Sequence, residues 1–397
     1  MMSRGLTASR LAVIVTGLCT AAAVSVGVSA AVSSAGATPA RTATATAWTA
    51  PAATAAAAPS LHVSGNRLVN ARGARVVLHG VDRSGSEYAC VGSNGSNGWA
   101  FFDGPVNQAA VTAMKSWDIS AVRVPLNEAC WNGESYVNRT YRGANYRKAV
   151  QAYVNLLNRN GLVVILDLHW TDGRYTASGC SSARALCQKP MPDTAQSVPF
   201  WRSVAQTFKH NDSVIFDLFN EPYPGFAPGA SETEGWRCWL HGGHCAGISY
   251  SVAGMQTLVS TVRATGAKNV IMLGGLGYSN DLSQWLKSEP KDPDHNLAAS
   301  WHSYSFNACS ASSCWNAQIA PVIKKVPLIA GEIGEGDCAD GYVNTLMPWL
   351  DARSASYLAW AWDTYSCTSF PSLISSYNGT PTAFGKGYRA HLRALAR

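Results

Sequence analysis

The sequence has few charged side chains and no concentration of positive charge. Asp, Glu, Lys and Arg make up only 14% of its 397 residues, and the formal net charge is +7. There is no cluster of Lys and Arg, which excludes the basic patch of a nucleic-acid-binding surface. Aromatic residues are plentiful by comparison, with 14 Trp and 15 Tyr. This composition predicts a folded chain that does not bind nucleic acid.

The first 59 residues lack the pattern of a folded domain. Residues 1–10 carry two arginines, and residues 11–31 form an uncharged apolar run. This order is typical of an export signal, so we predict a signal peptide at 1–32, with a retained membrane anchor as the alternative. Residues 33–59 are almost all Ala, Thr, Ser and Pro, which predicts a disordered linker. The domain is expected at 60–397, secreted to the extracellular space, without stable membrane association after signal cleavage.

Eleven cysteines are present, and removal of Cys19 with the signal leaves ten, an even number for an exported chain. We predict five disulfides that staple loops in an oxidising compartment. Spacing does not fix the connectivity, and the simplest pairing is Cys90–Cys130, Cys180–Cys187, Cys238–Cys245, Cys309–Cys314 and Cys338–Cys367. The alternative is a zinc site in "CWLHGGHC" at 238–245, whose ligands are closer together than the usual separated pairs.

Apolar runs alternate with amphipathic helical segments along the rest of the chain. Eight runs read as strands, at 76–81, 119–127, 162–170, 214–222, 269–277, 297–306, 326–334 and 356–364. Such runs between helical patterns indicate an α/β fold with a parallel sheet. Eight repeats over roughly 320 residues favour a single closed (β/α)8 TIM barrel, preceded by a short hairpin and decorated by disulfide-stapled loops. The alternative, an open doubly wound sheet, would need a Gly-rich phosphate turn that "HGVDRSGSEY" lacks.

Barrel enzymes place their chemistry at the C-terminal ends of the strands, and those ends are polar and aromatic here. The apolar run "VIFDLF" leads to Asn220 and Glu221, and "VPLIAG" leads to Glu332. The remaining strand ends carry Arg123, Asn127, Asp167, His169, Trp170, Trp301, His302, Tyr304, Trp360, Trp362 and Asp363. Two buried strands that each deliver a glutamate predict a paired-carboxyl site.

The whole arrangement resembles glycoside hydrolase family 5, the cellulase-like family of retaining β-glycosidases with a clan A (β/α)8 barrel. The motifs "GVDRSG", "AVRVPLN", "LDLHW", "FNEP", "SWHSY", "AGEIG" and "LAWAWD" follow the family's order and span residues 61–397. "NEP" alone is a weak match. Its combination with a strand-seven glutamate 111 residues later, and with the His-x-Tyr strand, is specific.

The resemblance implies that Glu221 is the acid and base and that Glu332 is the nucleophile. Retaining cleavage needs a nucleophilic carboxylate below the anomeric carbon and an acid beside the leaving oxygen, about 5–5.5 Å apart. Glu128 and Glu335 are rivals, but Glu332 is preferred because it directly follows "LIAG", where the apolar part of the strand should end. Substrate-binding or supporting roles fall on Arg123, His169, Asn220, His302, Tyr304, Trp362 and Trp360, with Trp362 preferred as the platform beneath the reacting sugar.

The resemblance therefore implies a secreted retaining β-glycoside hydrolase of polysaccharides or oligosaccharides, first of all an endo-β-1,4-glucanase. A β-mannanase or an exo-acting β-glycosidase is the alternative, the latter because the long loops at 85–104 and 235–245 could wall the cleft. No metal or organic cofactor is implied, and we expect a monomer whose partner is a carbohydrate substrate. Two other classes remain: a non-catalytic carbohydrate-binding barrel, and a zinc hydrolase using Asp167, His169 and His302.

Overall fold

A computed structural model of the chain describes residues 57–93, 98–173, 184–227 and 229–396. Eight strands form a closed barrel in chain order: β1 (His79–Asp82), β2 (Ala121–Asn127), β3 (Val163–Trp170), β4 (Val214–Asp217), β5 (Ile271–Gly274), β6 (Leu297–Tyr304), β7 (Leu328–Gly334) and β8 (Ser356–Ala359). Each strand pairs in parallel with the next, and β8 pairs with β1. The predicted (β/α)8 barrel is confirmed, and the open sheet is wrong.

Successive residues of a strand point to opposite faces, and the barrel uses this alternation to build two cores. In β2, Ala121 belongs to the inner core, whereas Val122 packs in the outer core beneath the helices. The inner core also contains Leu61, whose N–H donates to the C=O of Asp212 just before β4 at 2.9 Å. Leu61 begins a small sheet at the start of the described chain, the N-terminal sheet. This sheet covers the N-terminal end of the barrel and leaves the opposite mouth open.

That N-terminal sheet has three antiparallel strands, Leu61–Ser64, Arg67–Asn70 and Arg75–Val76. The predicted strand at 76–81 is thus divided, because Val76 pairs with Leu68 while β1 begins at His79. The run stays apolar across the division because Val76 and Leu78 both pack against the inner core, so the sequence pattern does not reveal the division.

Helices cover the outside of the barrel, and short elements decorate its ends. The longer helices are Gln108–Lys115, Ala144–Arg159, Ser197–Phe208, Glu232–His241, Met255–Arg263, Gly341–Asp351 and Ala383–Leu395. The shorter ones are Ala89–Gly92, Glu128–Asn132, Pro224–Phe226, Leu276–Ser279, Trp285–Lys287, Ser312–Cys314, Trp315–Ile319 and Ala320–Ile323. Two small sheets pair Gly242–Gly243 with Val252–Ala253 and Ile374–Ser376 with Thr380–Pro381.

Four disulfides match the predicted pairs: Cys90–Cys130, Cys238–Cys245, Cys309–Cys314 and Cys338–Cys367. The fifth predicted pair includes Cys180, which lies outside the described residues. Because Cys238 and Cys245 are bonded to each other, the zinc alternative at 238–245 is wrong.

The predicted signal peptide, and all but the last three residues of the predicted linker, lie outside the described residues. Among the residues that are described, no helix has both the length and the apolar character needed to cross a membrane.

Replacing Cys90 and Cys130 together by alanine is expected to lower the free energy of unfolding by about 4 kcal/mol, because their bridge spans 40 residues. The matched Cys309/Cys314 double variant opens a bridge that spans 5 residues and should lose only about 2 kcal/mol. Urea unfolding followed by tryptophan fluorescence measures both losses. Equal losses would contradict the loop-entropy explanation.

Candidate active site

The residues inside the barrel change from apolar to charged towards the C-terminal ends of the strands. In β2 the inward position after Ala121 is Arg123, and in β3 the inward position after Ile165 is Asp167. A cleft of about 1220 Å³ opens at this end and is lined by both predicted glutamates, Glu221 and Glu332. The candidate site therefore lies where the fold predicts it.

Arg123 binds four carboxyl groups at the base of this cleft. Its Nη1 atom lies 2.8 Å from Oε1 of Glu332 and 3.0 Å from Oδ1 of Asp82. Its Nη2 atom lies 3.0 Å from Oδ2 of Asp167, and its Nε atom lies 3.0 Å from Oδ2 of Asp217. All five side chains are buried. One guanidinium group thus faces acids from β1, β3, β4 and β7.

Burial sets the protonation of this cluster. It raises the pKa of Asp82 and of Asp217 well above the ordinary value, despite the opposing charge of Arg123. It also raises the pKa of Asp167 to about 7. Burial alone would lower the pKa of Arg123, but the surrounding acids, Asp167 first, outweigh it and raise that pKa well above its ordinary value. Arg123 therefore stays charged, whereas Asp82, Asp167 and Asp217 take up protons at a higher pH than exposed aspartates do.

The two predicted glutamates meet across the cleft. One carboxyl oxygen of Glu221, one of Glu332 and a ring nitrogen of His302 all lie within 4.8 Å of one another. The Nδ1 atom of His302 is 3.0 Å from Oε1 of Glu221 and 3.6 Å from Oε2 of Glu332. The hydroxyl of Tyr304 donates to Oε2 of Glu332 at 2.5 Å. Arg123 and Tyr304 thus hold the two oxygens of Glu332 separately.

Glu221 lies just beyond the end of β4. The strand predicted at 214–222 ends at Asp217, but the N–H of Asn220 still pairs with β3 at 3.0 Å. The Glu221 side chain is 26% exposed, whereas that of Glu332 is 5% exposed. Burial and the negative charge of Glu332 raise the pKa of Glu221 well above its ordinary value. The environment of Glu221 therefore favours its protonated form.

Side chains in β3 and just beyond the ends of β4 and β8 line the cleft beside the glutamates. The Nδ1 atom of His169 lies 2.7 Å from Oδ2 of Asp167, and its ring stacks on Trp360 with centroids 5.2 Å apart. Burial lowers the pKa of His169 to about 3, so the ring is neutral at neutral pH. Asn220 Oδ1 accepts a hydrogen bond from Arg123 Nη2 at 2.8 Å, which fixes the orientation of the amide. His169, Asn220 and Trp360 all border the cleft.

Trp362 does not line the cleft, which corrects the preference drawn from the sequence. Its side chain is fully buried and packs against Trp117, with ring centroids 4.9 Å apart. β8 ends at Ala359, so the strand alternation that would place Trp360 and Trp362 on one face does not reach them. Of these two tryptophans, Trp360 is the one that lines the cleft, where a sugar can contact it.

The rival carboxyl groups have structural partners. Ser197 Oγ donates to Oε1 of Glu128 at 2.5 Å, and the N–H of Asp172 donates to Oε2 at 2.7 Å. Glu335 accepts the N–H of Val343 near the start of a helix at 2.9 Å. Among the described residues that line the cleft, neither Glu128 nor Glu335 is present.

The set proposed for a zinc hydrolase is not brought together. Among the described residues, the group whose donor atoms converge is Glu221, His302 and Glu332, which omits Asp167 and His169. A cation at this group would compete with the contact between His302 and Glu221. Burial, and then the charge of Arg123, lower the pKa of His302 well below its ordinary value, so its ring is neutral.

Sequence reasoning missed several cleft residues in the loops. Phe226, Tyr278, Phe306 and Phe370 are 67%, 41%, 61% and 43% exposed, and all four border the cleft. Glu87 also lines the cleft, and burial raises its pKa to about 8. No periodic pattern indicates side-chain direction in loops. The available signal was proximity in the chain, since Phe226 follows Glu221 by five residues.

A closed parallel barrel whose mouth brings two glutamates together above a charged base defines a (β/α)8-barrel glycosidase. Residues 81–366 match the family described as "Cellulase (glycosyl hydrolase family 5)". This match spans most of the chain, so the chain belongs to glycosyl hydrolase family 5 and is a glycoside hydrolase. The resemblance drawn from the motifs is confirmed.

Relatives of this chain act on two kinds of glycan by name. It is 22% identical over 319 residues to a mannan endo-1,4-beta-mannosidase of Streptomyces lividans, covering 77% of this chain and 67% of the relative. It is 26% identical over 172 residues to Endoglucanase 1 of Robillarda sp., covering 40% and 39%. The matches cover only 67% and 39% of these relatives, so their activities can only be proposed for this chain.

Solved structures share the fold at low identity. A beta-glucanase from Saccharophagus degradans in complex with cellotetraose aligns with a TM-score of 0.65 and 15% identity, covering 89% of this chain and 100% of that chain. A beta-mannanase from Thermomonospora fusca aligns with a TM-score of 0.59 and 20% identity, covering 83% and 93%.

Replacing Arg123 by methionine is expected to lower the free energy of unfolding by about 3–5 kcal/mol at pH 7, because buried acids then lack their cation. The loss should shrink as the pH falls towards about 5, because the raised pKa values of Asp82, Asp167 and Asp217 let these three acids take up protons. Denaturant unfolding across that pH range measures the effect. Arg353, which lies 4.0 Å above the ring of Trp349, is the control, and Arg353→Met should lose about 1 kcal/mol or less. A loss that does not depend on pH would contradict this account.

Proposed function

We propose that this chain is a secreted, retaining β-glycoside hydrolase in which Glu332 is the nucleophile and Glu221 is the acid and base. The approach of their carboxyl oxygens to within 4.8 Å carries the proposal. Retaining enzymes hold these groups about 5–5.5 Å apart, whereas inverting enzymes need about 6.5–9.5 Å to admit a water. The separation here supports retention.

In the first step Glu332 attacks the anomeric carbon while Glu221 protonates the oxygen of the departing group. The bond from that carbon to the glycosidic oxygen breaks, and an ester bond to a Glu332 oxygen forms. The contacts of Arg123 and Tyr304 to separate oxygens of Glu332 support this role, because they orient an ionised carboxylate without protonating it. The raised pKa of Glu221 supports its role as the acid.

In the second step Glu221, now ionised, removes a proton from water, and the water oxygen attacks the anomeric carbon. The ester bond breaks, Glu332 is released, and two inversions give net retention. Loss of the proton from Glu221 in the first step also makes it the base that the second step needs. His302 contacts Glu221 in both steps. Because the His302 ring is neutral, it adds no positive charge beside Glu221 when Glu221 loses or gains its proton.

Replacement of Glu332 distinguishes this mechanism from others. Glu332→Gln should reduce turnover by about a thousandfold or more, because the attacking carboxylate is lost. Sodium azide should restore cleavage of an activated aryl glycoside by Glu332→Ala and give the α-glycosyl azide, since azide attacks once from the side of the missing carboxylate. The same addition to Glu221→Ala should give the β-glycosyl azide, because azide then attacks the glycosyl enzyme. Product NMR measures both.

The matched control is Glu335→Gln, which changes a buried carboxyl group near the same barrel end. It should keep its activity, since Glu335 binds the N–H of Val343 and not the cleft. Ordinary turnover by Glu332→Gln, or the same azide anomer from both alanine variants, would remove the assignment.

We infer that the substrate is a β-1,4-glucan, with β-mannan as the second candidate. The cellotetraose complex of the Saccharophagus degradans beta-glucanase, which shares this fold, supports a glucan. The Streptomyces lividans relative favours mannan. Exposed Phe226, Tyr278 and Phe306 along the cleft support binding of sugar rings, whose C–H faces pack on aromatic planes.

Both glutamates are present and close, which favours an enzyme over a non-catalytic binding barrel. The disulfides support secretion, because such bonds persist in oxidising compartments.

A panel of soluble β-1,4-glucan, β-mannan and xylan identifies the substrate. Fastest release of reducing ends is expected from the glucan, as oligosaccharides cut within the chain, and NMR should show the β-anomer first. Faster cleavage of mannan would establish the second candidate, and release of terminal sugars alone would indicate exo action. Glu332→Gln prepared in parallel controls for contaminating activity. Release of the α-anomer first would overturn the retaining mechanism.

A further inference from the structure

The side chain of Gln188 pairs with the main chain of Glu221. Its Oε1 atom accepts the N–H of Glu221 at 3.0 Å, and its Nε2 group donates to the C=O of Glu221 at 2.5 Å. Two residues that face each other in an antiparallel ladder exchange the same pair of hydrogen bonds. Gln188 is only 7% exposed, so this pairing is shielded from water.

Gln188 takes the place of a neighbouring strand as the hydrogen-bond partner of Glu221, which lies beyond the end of β4. β4 ends at Asp217, and the N–H of Asn220 makes a further link to the C=O of Leu168 in β3. Glu221 lies one residue beyond that link, and its peptide groups need partners because unpaired buried N–H and C=O groups are costly. The amide of Gln188 satisfies both groups at once.

The peptide groups on either side of Glu221 are also held from outside β4. Ser279 Oγ donates to the C=O of Asn220 at 2.8 Å, and the N–H of Tyr278 donates to the C=O of Pro222 at 3.1 Å. Tyr278 and Ser279 have φ values of 63° and 59°, a left-handed conformation that non-glycine residues adopt at a cost. The fold thus maintains a strained turn where it fixes this segment.

Gln188 is itself fixed to the end of β3. Its C=O accepts the hydroxyl of Tyr223 at 2.7 Å. The neighbouring Cys187 is disulfide-bonded, and its C=O accepts the N–H of Thr171 at 3.3 Å. The N–H of Lys189 donates to Oγ1 of Thr171 at 2.9 Å. Because Thr171 directly follows β3, the segment joins the end of β3 to the chain that leaves β4.

We propose that Gln188 is a positioning residue that holds the carboxyl group of Glu221 beside the oxygen of the leaving group. The inference rests on the proposed function, in which Glu221 is the acid. Glu221 is partly exposed, and the contact with His302 holds one of its oxygens, so its placement depends on its main chain. Among the described residues that line the cleft Gln188 is absent, so it acts through Glu221 and not on the substrate.

A misplaced proton donor affects substrates according to their leaving groups. A phenol or sugar needs a proton as its bond breaks, whereas 2,4-dinitrophenolate is stable enough to leave without one. The ratio kcat/KM reports the first bond cleavage for both kinds of substrate. A positioning role therefore predicts a loss that increases with the pKa of the leaving group, which a general loss of structure would not produce.

The test is Gln188→Met, which keeps the length of the side chain and removes the amide. The substrates are phenyl and 2,4-dinitrophenyl β-glycosides of the sugar that the wild-type enzyme releases. For the phenyl glycoside, kcat/KM should fall about 10- to 100-fold, and for the dinitrophenyl glycoside less than about threefold, as expected when a catalytic group is displaced by up to 1 Å.

Gln256 offers a matched control on the surface. Its Nε2 donates to the C=O of Lys291 at 3.0 Å, and its Oε1 accepts the N–H of Lys291 at 2.8 Å, which is the same two-point pairing. Gln256→Met should leave kcat/KM unchanged on both glycosides. Glu221→Ala is the reference for complete loss of the acid and should show the same dependence on the leaving group more strongly.

The outcomes distinguish failure of the positioning role of Gln188 from failure of the proposed role of Glu221 as the acid. If Glu221→Ala discriminates between the glycosides but Gln188→Met lowers both equally or neither, the positioning role is wrong and the proposed function stands. If Glu221→Ala does not discriminate, the proposed function fails, and the inference fails with it. Should thermal unfolding show that Gln188→Met is not folded, Gln188→Asn makes the same comparison with an amide one methylene shorter.

Discussion

The site depends on one buried cation. Arg123 is enclosed by acids from four strands, and a buried guanidinium is tolerated only where carboxyl groups compensate it. The acids need the cation equally, since burial alone drives the pKa of Asp82 and Asp217 upward. The cluster thereby links the ends of β1, β2, β3, β4 and β7. Asn220 and Glu332, which contact Arg123 directly, are oriented by that charge network.

The network also explains why two glutamates a few ångströms apart differ. Glu332 lies directly on Arg123 and accepts the hydroxyl of Tyr304, two donors that stabilise a negative charge. Glu221 lies farther out, beside the neutral ring of His302 and within the field of Glu332, which disfavours a second negative charge. The surroundings of the two glutamates therefore differ because Glu332 is nearer to the arginine, which supports the separate roles proposed for them.

Sequence patterns predicted the parts of this enzyme that repeat. Eight apolar runs predicted eight strands because most side chains of a buried strand pack in an apolar core, and motif order located Glu221 and Glu332. Patterns failed where one run serves two sheets, as at Val76, or where a strand stops early, as before Trp362. They also failed for Phe226 and Tyr278, since loop conformation depends on tertiary contacts that single-residue preferences do not encode.

The main chains of the two glutamates are held in different ways, because Glu332 lies inside a strand and Glu221 lies beyond the end of one. Glu332 lies inside β7, where it pairs with His302 of β6, so its main chain is fixed and side-chain contacts suffice to orient it. Glu221 lies where parallel pairing has ended, because β4 stops at Asp217 and Asn220 makes a further link to β3. The fold instead assembles partners from other loops: the amide of Gln188 and the turn at Tyr278. A rim residue can thus be nearly as rigid as a strand residue while its carboxyl group remains open to the cleft.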